Sequence, residues 1–229
     1  MSAKSALEDA RGQVVTLLGG GADEVVLTSG GSEANNLALK GVFFCAQGQG
    51  RAYRHERGRD PAILGPCRFL ERLGATVSYL PVDGTGRVDP DAVRCAITPC
   101  TILISIMHAN NEVGTIQPIA EIGRIARERD NIFHANAAQF IGRIPTNVGA
   151  LGVDLLTIAG HKLYGPRASA PSMSSEASRS SGSSMARGMR VAGALAPRAS
   201  CSLLALAAAC ALASDLTPME RIRALRDRF

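Results

Sequence analysis

Residues 101–112 read TILISIMHANNE. An almost unbroken apolar run, rich in Ile, passes directly into small and polar residues. A continuous apolar run, rather than an alternating one, marks a strand covered on both faces. The same change recurs twice downstream. Ile132-Phe133-His134 leads into Ala135-Asn136-Ala137-Ala138-Gln139, and 153–158 leads into Ala159-Gly160-His161-Lys162.

Working outward, helical stretches separate these runs. Residues 6–18 form an amphipathic pattern that stops at Gly19-Gly20-Gly21, and 33–43, 89–97 and 118–129 read as further helices, the last opening at a proline. Val25-Val26-Leu27-Thr28 and 76–82 read as strands, and Asp83-Gly84-Thr85-Gly86 as a turn. Strands alternating with helices predict an α/β fold with a mostly parallel sheet and helices on both faces. Two stretches break the pattern: 47–60 is polar, Arg-rich and aperiodic, and 167–200 is rich in Ser, Ala and Arg and reads as a linker. Helical character returns over 201–229. The predicted organisation is therefore a main unit over 1–166, departing from pattern at 46–60, an aberrant segment over 167–200, and a helical remnant over 201–229.

Composition narrows the function. With 229 residues, 46% hydrophobic and 20% charged, the chain suits one large packed domain or two small ones. The longest apolar run, 202–213, is short of the roughly 20 residues of a membrane span, and residues 1–12 hold no apolar signal core. Neither secretion nor a membrane is expected. Cysteines 45, 67, 95, 100, 201 and 210 form no CxxC pair and no zinc spacing, so a reducing cytoplasm without a disulfide framework or metal site is the expectation. The net charge of +5 resolves into +4 over 167–200, +2 over 51–60 and −1 elsewhere. Nucleic-acid binders carry a basic face with aromatics nearby, and with 4% aromatic residues no such face is expected here.

Ligands of an open parallel sheet bind beyond the carboxyl ends of its strands, where each polar cluster above falls. Gly31-Ser32, between a strand and a helix, is either a phosphate seat or a plain tight turn. Lys162, between an apolar strand and Leu163-Tyr164-Gly165-Pro166, is either a partly desolvated amine suited to Schiff-base chemistry or a surface lysine in a turn.

Taken together, SGGSEANN (29–36), ILISIMHANNEVGTIQPI (102–119), FHANAAQ (133–139) and LGVDLLTIAGHKLYGP (151–166) resemble the cysteine desulfurases of the NifS/IscS type, within the class V aminotransferases. The resemblance implies the large domain of the fold-type I pyridoxal 5'-phosphate enzymes and a homodimer. It implies removal of sulfur from L-cysteine, giving L-alanine and a persulfide for an acceptor protein, as in iron–sulfur cluster assembly. Selenocysteine lyases and other class V aminotransferases share the pattern. Position by position, Lys162 matches the lysine that condenses with the cofactor's aldehyde. Gly31, Ser32 and His161 match phosphate-binding positions. Asn111 and Gln139 match residues that hold the ring and its phenolic oxygen.

Departures from the family are equally specific. Asn136 replaces the aspartate that pairs with the pyridine nitrogen, and Asp60 stands where a ring-stacking histidine is expected. The family's catalytic cysteine lies well beyond the lysine, whereas this chain ends 67 residues after Lys162. The small C-terminal domain is thus expected to be largely missing, and turnover to be impaired or absent. The irregular stretches have a common reading. Back-translated with suitable codons and read one base later, Arg51–Arg59 gives Ala-His-Ile-Val-Thr-Ser-Ala-Val, and 168–173 shifted by two gives Gly-Val-Gly-Ala-Leu-Tyr. Both are what the family carries there. We read 51–59 and about 168–190 as out-of-frame, which resequencing of the coding DNA tests directly.

Overall fold

The fold is that of a computed structural model, which describes residues 3–46, 52–56, 61–165, 170–174 and 200–228. Its centre is a seven-stranded sheet. The strands in chain order are β1 (Val25–Thr28), β2 (Ala52–Glu56), β3 (Thr76–Leu80), β4 (Thr101–Met107), β5 (Ile132–Asn136), β6 (Leu155–Thr157) and β7 (Ala170–Ser174). They lie side by side as β1-β7-β6-β5-β4-β2-β3. All neighbouring pairs are parallel except those of β7, which runs antiparallel to both β1 and β6.

The helices are α1 (Ala3–Leu18), α2 (Gly31–Cys45), α3 (Pro61–Arg72), α4 (Pro90–Ala96), α5 (Ile119–Glu128), α6 (Val148–Leu151), α7 (Ser200–Ala213) and α8 (Thr217–Arg226). Local chemistry sets several of their ends. The Asp89 carboxylate caps α4 by accepting from the Asp91 N–H at 3.0 Å, ahead of Pro90. Asn147 caps α6 in the same way through the Ala150 N–H at 3.0 Å, and Gly152 ends that helix in the left-handed region.

Burial explains the apolar runs. Every residue of β4 is buried. Ile104 and Ile106, with Phe133, Ala135 and Leu156, pack among Ala10, Val14, Ile119, Ile122, Leu203 and Leu206 of α1, α5 and α7. Leu103 and Leu155 face the other way, against Leu39 and Val42 of α2 and Ile63 and Leu70 of α3. Helices on both faces of a mostly parallel sheet are thus as the sequence predicts. Strand β3 stops at Leu80, before Pro81, which has no N–H for the ladder; Val82 instead bridges Val88 across the turn. Among the described residues no single helix is long and apolar enough to cross a membrane.

Both irregular stretches differ from their reading as aperiodic. Ala52–Glu56 is β2, a strand paired on both sides, and Ala170–Ser174 is β7. Ladder partners on either side impose extended structure where local pattern does not ask for it. The fit of β2 is imperfect. Arg54 is buried, and its guanidinium donates to the carbonyls of Ala96 (2.5 Å) and Tyr53 (3.2 Å) and the hydroxyls of Ser78 (2.7 Å) and Thr98 (3.3 Å). Burial disfavours its charge. Arg54→Val is therefore expected to stabilise the domain by about 1–4 kcal/mol in thermal denaturation. Ser78 and Ala96 are half-buried and Thr98 is exposed, so water replaces the lost bonds. An equal or lower melting temperature would contradict this account. Positions 57–60, including Asp60, lie outside the described residues.

Candidate active site

Three chain segments meet at the carboxyl edge of the sheet. A methyl group placed on Gly31, in the first turn of α2, would lie 3.5 Å from the Ala159 Cβ and 3.8 Å from the Ala138 Cβ. A single methyl group would thus bridge the start of α2 to the turn after β5 and to the approach to Lys162, so the three segments lie side by side. Lys162 sits on a tight turn, Gly160–Leu163, whose ends are tied by Lys162 N–H to Ala159 C=O (2.9 Å) and Gly165 N–H to Gly160 C=O (3.0 Å). Leu163 points into the core and is buried, while Lys162 is half-buried and its neighbour His161 exposed. Tyr164 closes the turn in the left-handed region (φ 63°) with its ring almost wholly in solvent.

Helix α2 begins at Gly30, and the first-turn N–H groups of Gly31, Ser32 and Glu33 have no helical acceptor by geometry. The Glu33 carboxylate reaches back to the Ser29 N–H at 2.6 Å and fixes the entry of the chain. Ser32 presents an exposed hydroxyl beside them. Asn136 ends β5, buried, with its side-chain oxygen accepting from the Ala138 N–H at 3.1 Å and its carbonyl accepting from the His108 N–H at 2.8 Å. Gln139 follows, half-buried, on the same turn. Asn111 lies apart: it is exposed in the 109–116 hairpin, which an Ala109–Ile116 bridge closes. Its neighbour Asn110 is half-buried and accepts from the Glu112 and Val113 N–H groups at 2.8 and 3.1 Å.

A polar row not foreseen from the sequence runs behind this edge, on the α2 side of the sheet. His55 Nδ1 contacts the Ser105 carbonyl (2.9 Å), Ser105 Oγ contacts His134 Nδ1 (2.9 Å), and His134 Nε2 contacts Thr157 Oγ1 (3.0 Å). With both nitrogens engaged and no solvent contact, His134 is held neutral; burial, reinforced by the neighbouring His55, pushes it down to about 3. His108 is buried with no hydrogen-bond partner for Nδ1, and burial pushes it down to about 4. The available signal was a polar residue within or at the end of each apolar run: Ser105, His134 and Thr157. Ser105, His134 and Thr157 fall on one face once register is known.

A helix start, a buried amide and a lysine turn lie together at the carboxyl edge of this sheet, the place where open α/β domains bind their ligands. Comparison with known proteins makes this particular. The family model for class-V aminotransferases matches residues 1–168. Over 164 residues the chain is 51% identical to a cysteine desulfurase IscS of Dictyoglomus turgidum, covering 72% of this chain and 42% of that protein. It is 47% identical over 165 residues to the cysteine desulfurase IscS of Anaeromyxobacter sp. (strain K), again over 72% of this chain and 41% of the other. Among solved structures, a NifS-like protein superposes with a TM-score of 0.85 at 29% identity, over 97% of this chain and 63% of the other. The SspA protein in complex with cysteine superposes with a TM-score of 0.81 at 33% identity, over 91% and 60%. The chain belongs to the class-V aminotransferase family. It spans about two fifths of the length of these two IscS relatives.

Proposed function

We propose that this chain binds pyridoxal 5'-phosphate at the edge just described, on the plan of a cysteine desulfurase. The observation that supports the reading is the closeness of the α2 start to Ala159, three residues before Lys162, at the carboxyl edge of the sheet. The donors suit the cofactor chemically. Amide N–H groups and a hydroxyl at Gly31 and Ser32, with the His161 imidazole, are phosphate partners. The Lys162 amine is an aldehyde partner. Gln139 would supply an amide for the ring's oxygen and Asn136 one for the pyridine nitrogen, while Asn111 is assigned to the ring by the resemblance alone, since it lies apart in the 109–116 hairpin. When bound, the group supplies an electron-withdrawing ring next to the substrate's amino carbon.

The residues have distinct tasks. The N–H groups at the α2 start would hold the cofactor's anion. Lys162 would offer its amine from a turn that the buried Leu163 anchors. As a carbonyl-bearing amide, Asn136 accepts and donates hydrogen bonds but cannot offset a positive charge on a ring nitrogen. That favours weak turnover, or a non-catalytic member of the family, over a fully active enzyme. L-Cysteine as substrate, a homodimer, a sulfur-acceptor protein, a role in iron–sulfur cluster assembly and a cytoplasmic location belong to this same proposal. Similarity to the IscS enzymes supports these, and the cysteine complex of the SspA neighbour supports the substrate class.

The test is chemical. Purified protein is incubated with pyridoxal 5'-phosphate and reduced with borohydride, and the modified lysine is mapped by mass spectrometry. The chain has three lysines, Lys4, Lys40 and Lys162, so the assignment is simple. Modification concentrated on Lys162, and lost in Lys162→Ala together with visible absorbance, is the expected result. Equal modification of Lys40 and Lys162 would sink the proposal.

A further inference from the structure

We propose that α7 is a brace for the lysine turn, and that Gly142, Ala213 and Leu163 form the contact that sets the depth of Lys162. The inference rests on the reading above only for what Lys162 does once placed. Gly142 lies three residues beyond Gln139, in the turn after β5, with φ +70°. A methyl group there would sit 2.7 Å from the Ala213 Cβ and 2.9 Å from the Leu163 Cδ2. Three elements thus meet with no room for one further carbon: the turn that carries Gln139, the last residue of α7, and the residue that follows Lys162.

A second contact repeats the arrangement one turn back along α7. A methyl group on Gly165 would lie 2.9 Å from the Gly160 carbonyl oxygen and 3.6 Å from the Ala209 Cβ. Leu163 and Gly165, on the C-terminal side of the lysine turn, therefore both lie close to small residues of one helix. Leu163 itself is buried in the same cluster as Leu203, Leu206, Ala209 and Cys210. Helix α7 in turn packs along α1, so the brace is seated on the body of the domain. Close-packed contacts of this kind do not deform smoothly; extra volume moves the softer partner. Here that partner is the Leu163 side chain, and Lys162 is its backbone neighbour.

Gly142, Ala209, Ala213 and Gly165 act on the lysine through Leu163 and the turn, so they are positioning residues. If they set its depth, a methyl added at position 142 displaces Lys162 by pressing on Leu163, and removing the methyl at 213 opens the space on the far side into which the added methyl withdraws, so that Leu163 and Lys162 return. The experiment compares wild type, Gly142→Ala, and the double variant Gly142→Ala with Ala213→Gly. A control, Gly123→Ala, crowds the Leu151 and Gly152 carbonyls of α6 instead. The first readout is the ratio of pyridoxyl-Lys162 to pyridoxyl-Lys40 after pyridoxal 5'-phosphate and borohydride. The second is the ratio of acetylation at the same two lysines by acetic anhydride, with no cofactor present.

Gly142→Ala is expected to lower the pyridoxyl ratio by about ten- to a hundredfold, a misplacement of about 1 Å at a reacting group costing up to about a hundredfold. It should raise the acetylation ratio. The double variant should return both ratios to wild type even though its melting temperature stays below wild type, because a helical glycine and a left-handed alanine both remain. Gly123→Ala should lower the melting temperature and leave both ratios alone. An unchanged ratio in Gly142→Ala, or no recovery in the double variant, overturns the brace. If the wild type takes no pyridoxyl group at Lys162, the functional reading falls. The brace then stands or falls on whether acetylation shifts in Gly142→Ala and returns in the double variant.

Discussion

Acidification from pH 7 to pH 4 is expected to remove several kcal/mol of stability and to unfold most of the chain. His134 and His108 drive this. Burial holds their imidazoles at about 3 and about 4, below the ordinary 6.5. A group whose pKa is lower in the fold than in the unfolded chain favours folding above the unfolded value. Its contribution is lost as pH falls from 6.5 through the folded value. By pH 4 each histidine has given up about 3 kcal/mol, at about 1.4 kcal/mol per pH unit. Together that is comparable to the whole stability of a typical domain, about 5–15 kcal/mol. Far-ultraviolet circular dichroism during an acid titration checks it, with His134→Gln as the comparison. The variant should start less stable at pH 7, having lost the Ser105 and Thr157 bonds, and decline less steeply on acidification. A domain equally stable at pH 7 and pH 4 would refute the neutral histidine row.

Asn136→Asp is expected to tighten binding of pyridoxal 5'-phosphate by about 5- to 10-fold. A hydrogen bond to a charged partner is worth about 1–1.5 kcal/mol more than a neutral one, and a factor of ten is about 1.4 kcal/mol. The structure favours a clean substitution. The amide oxygen of Asn136 already accepts from the Ala138 N–H at 3.1 Å, and a carboxylate oxygen keeps that bond. Without cofactor the same change should lower the melting temperature, because residue 136 is buried and a carboxylate there loses its water. The two effects have opposite signs, so a titration of affinity and a melt of the free chain separate them. Affinity unchanged or weakened in the variant would remove the physical reason for regarding residue 136 as the site's defect.

The sheet was legible because its strands are buried on both faces. β4 reads as a strand from composition alone, and the sequence boundaries 101–107 match the structure. The carboxyl-edge clusters were legible for a related reason: polar residues straight after an apolar run have nowhere else to go. β2 and β7 were not, because 52–56 and 170–174 lack any apolar pattern, and only the ladder partners on each side dictate extension. The histidine row was also hidden. His55, Ser105, His134 and Thr157 are far apart in sequence and meet only through strand register. The brace at Gly142 was invisible for the same reason, since its partners Leu163 and Ala213 come from different elements.

The position of β7 bears on how the molecule is made. β1 has no ladder contact with β6; β7 lies between them, and its residues come some 140 positions after β1 in the chain. During synthesis from the N-terminus, β1 and the helix start that it carries have no place in the sheet until β7 has left the ribosome. The start of α2 is therefore among the last parts of the sheet domain to be fixed. Pairing over such a separation is slow and leaves an unpaired edge exposed meanwhile. A chaperone that recognises exposed strand edges would find its target in the nascent β1–α2 segment.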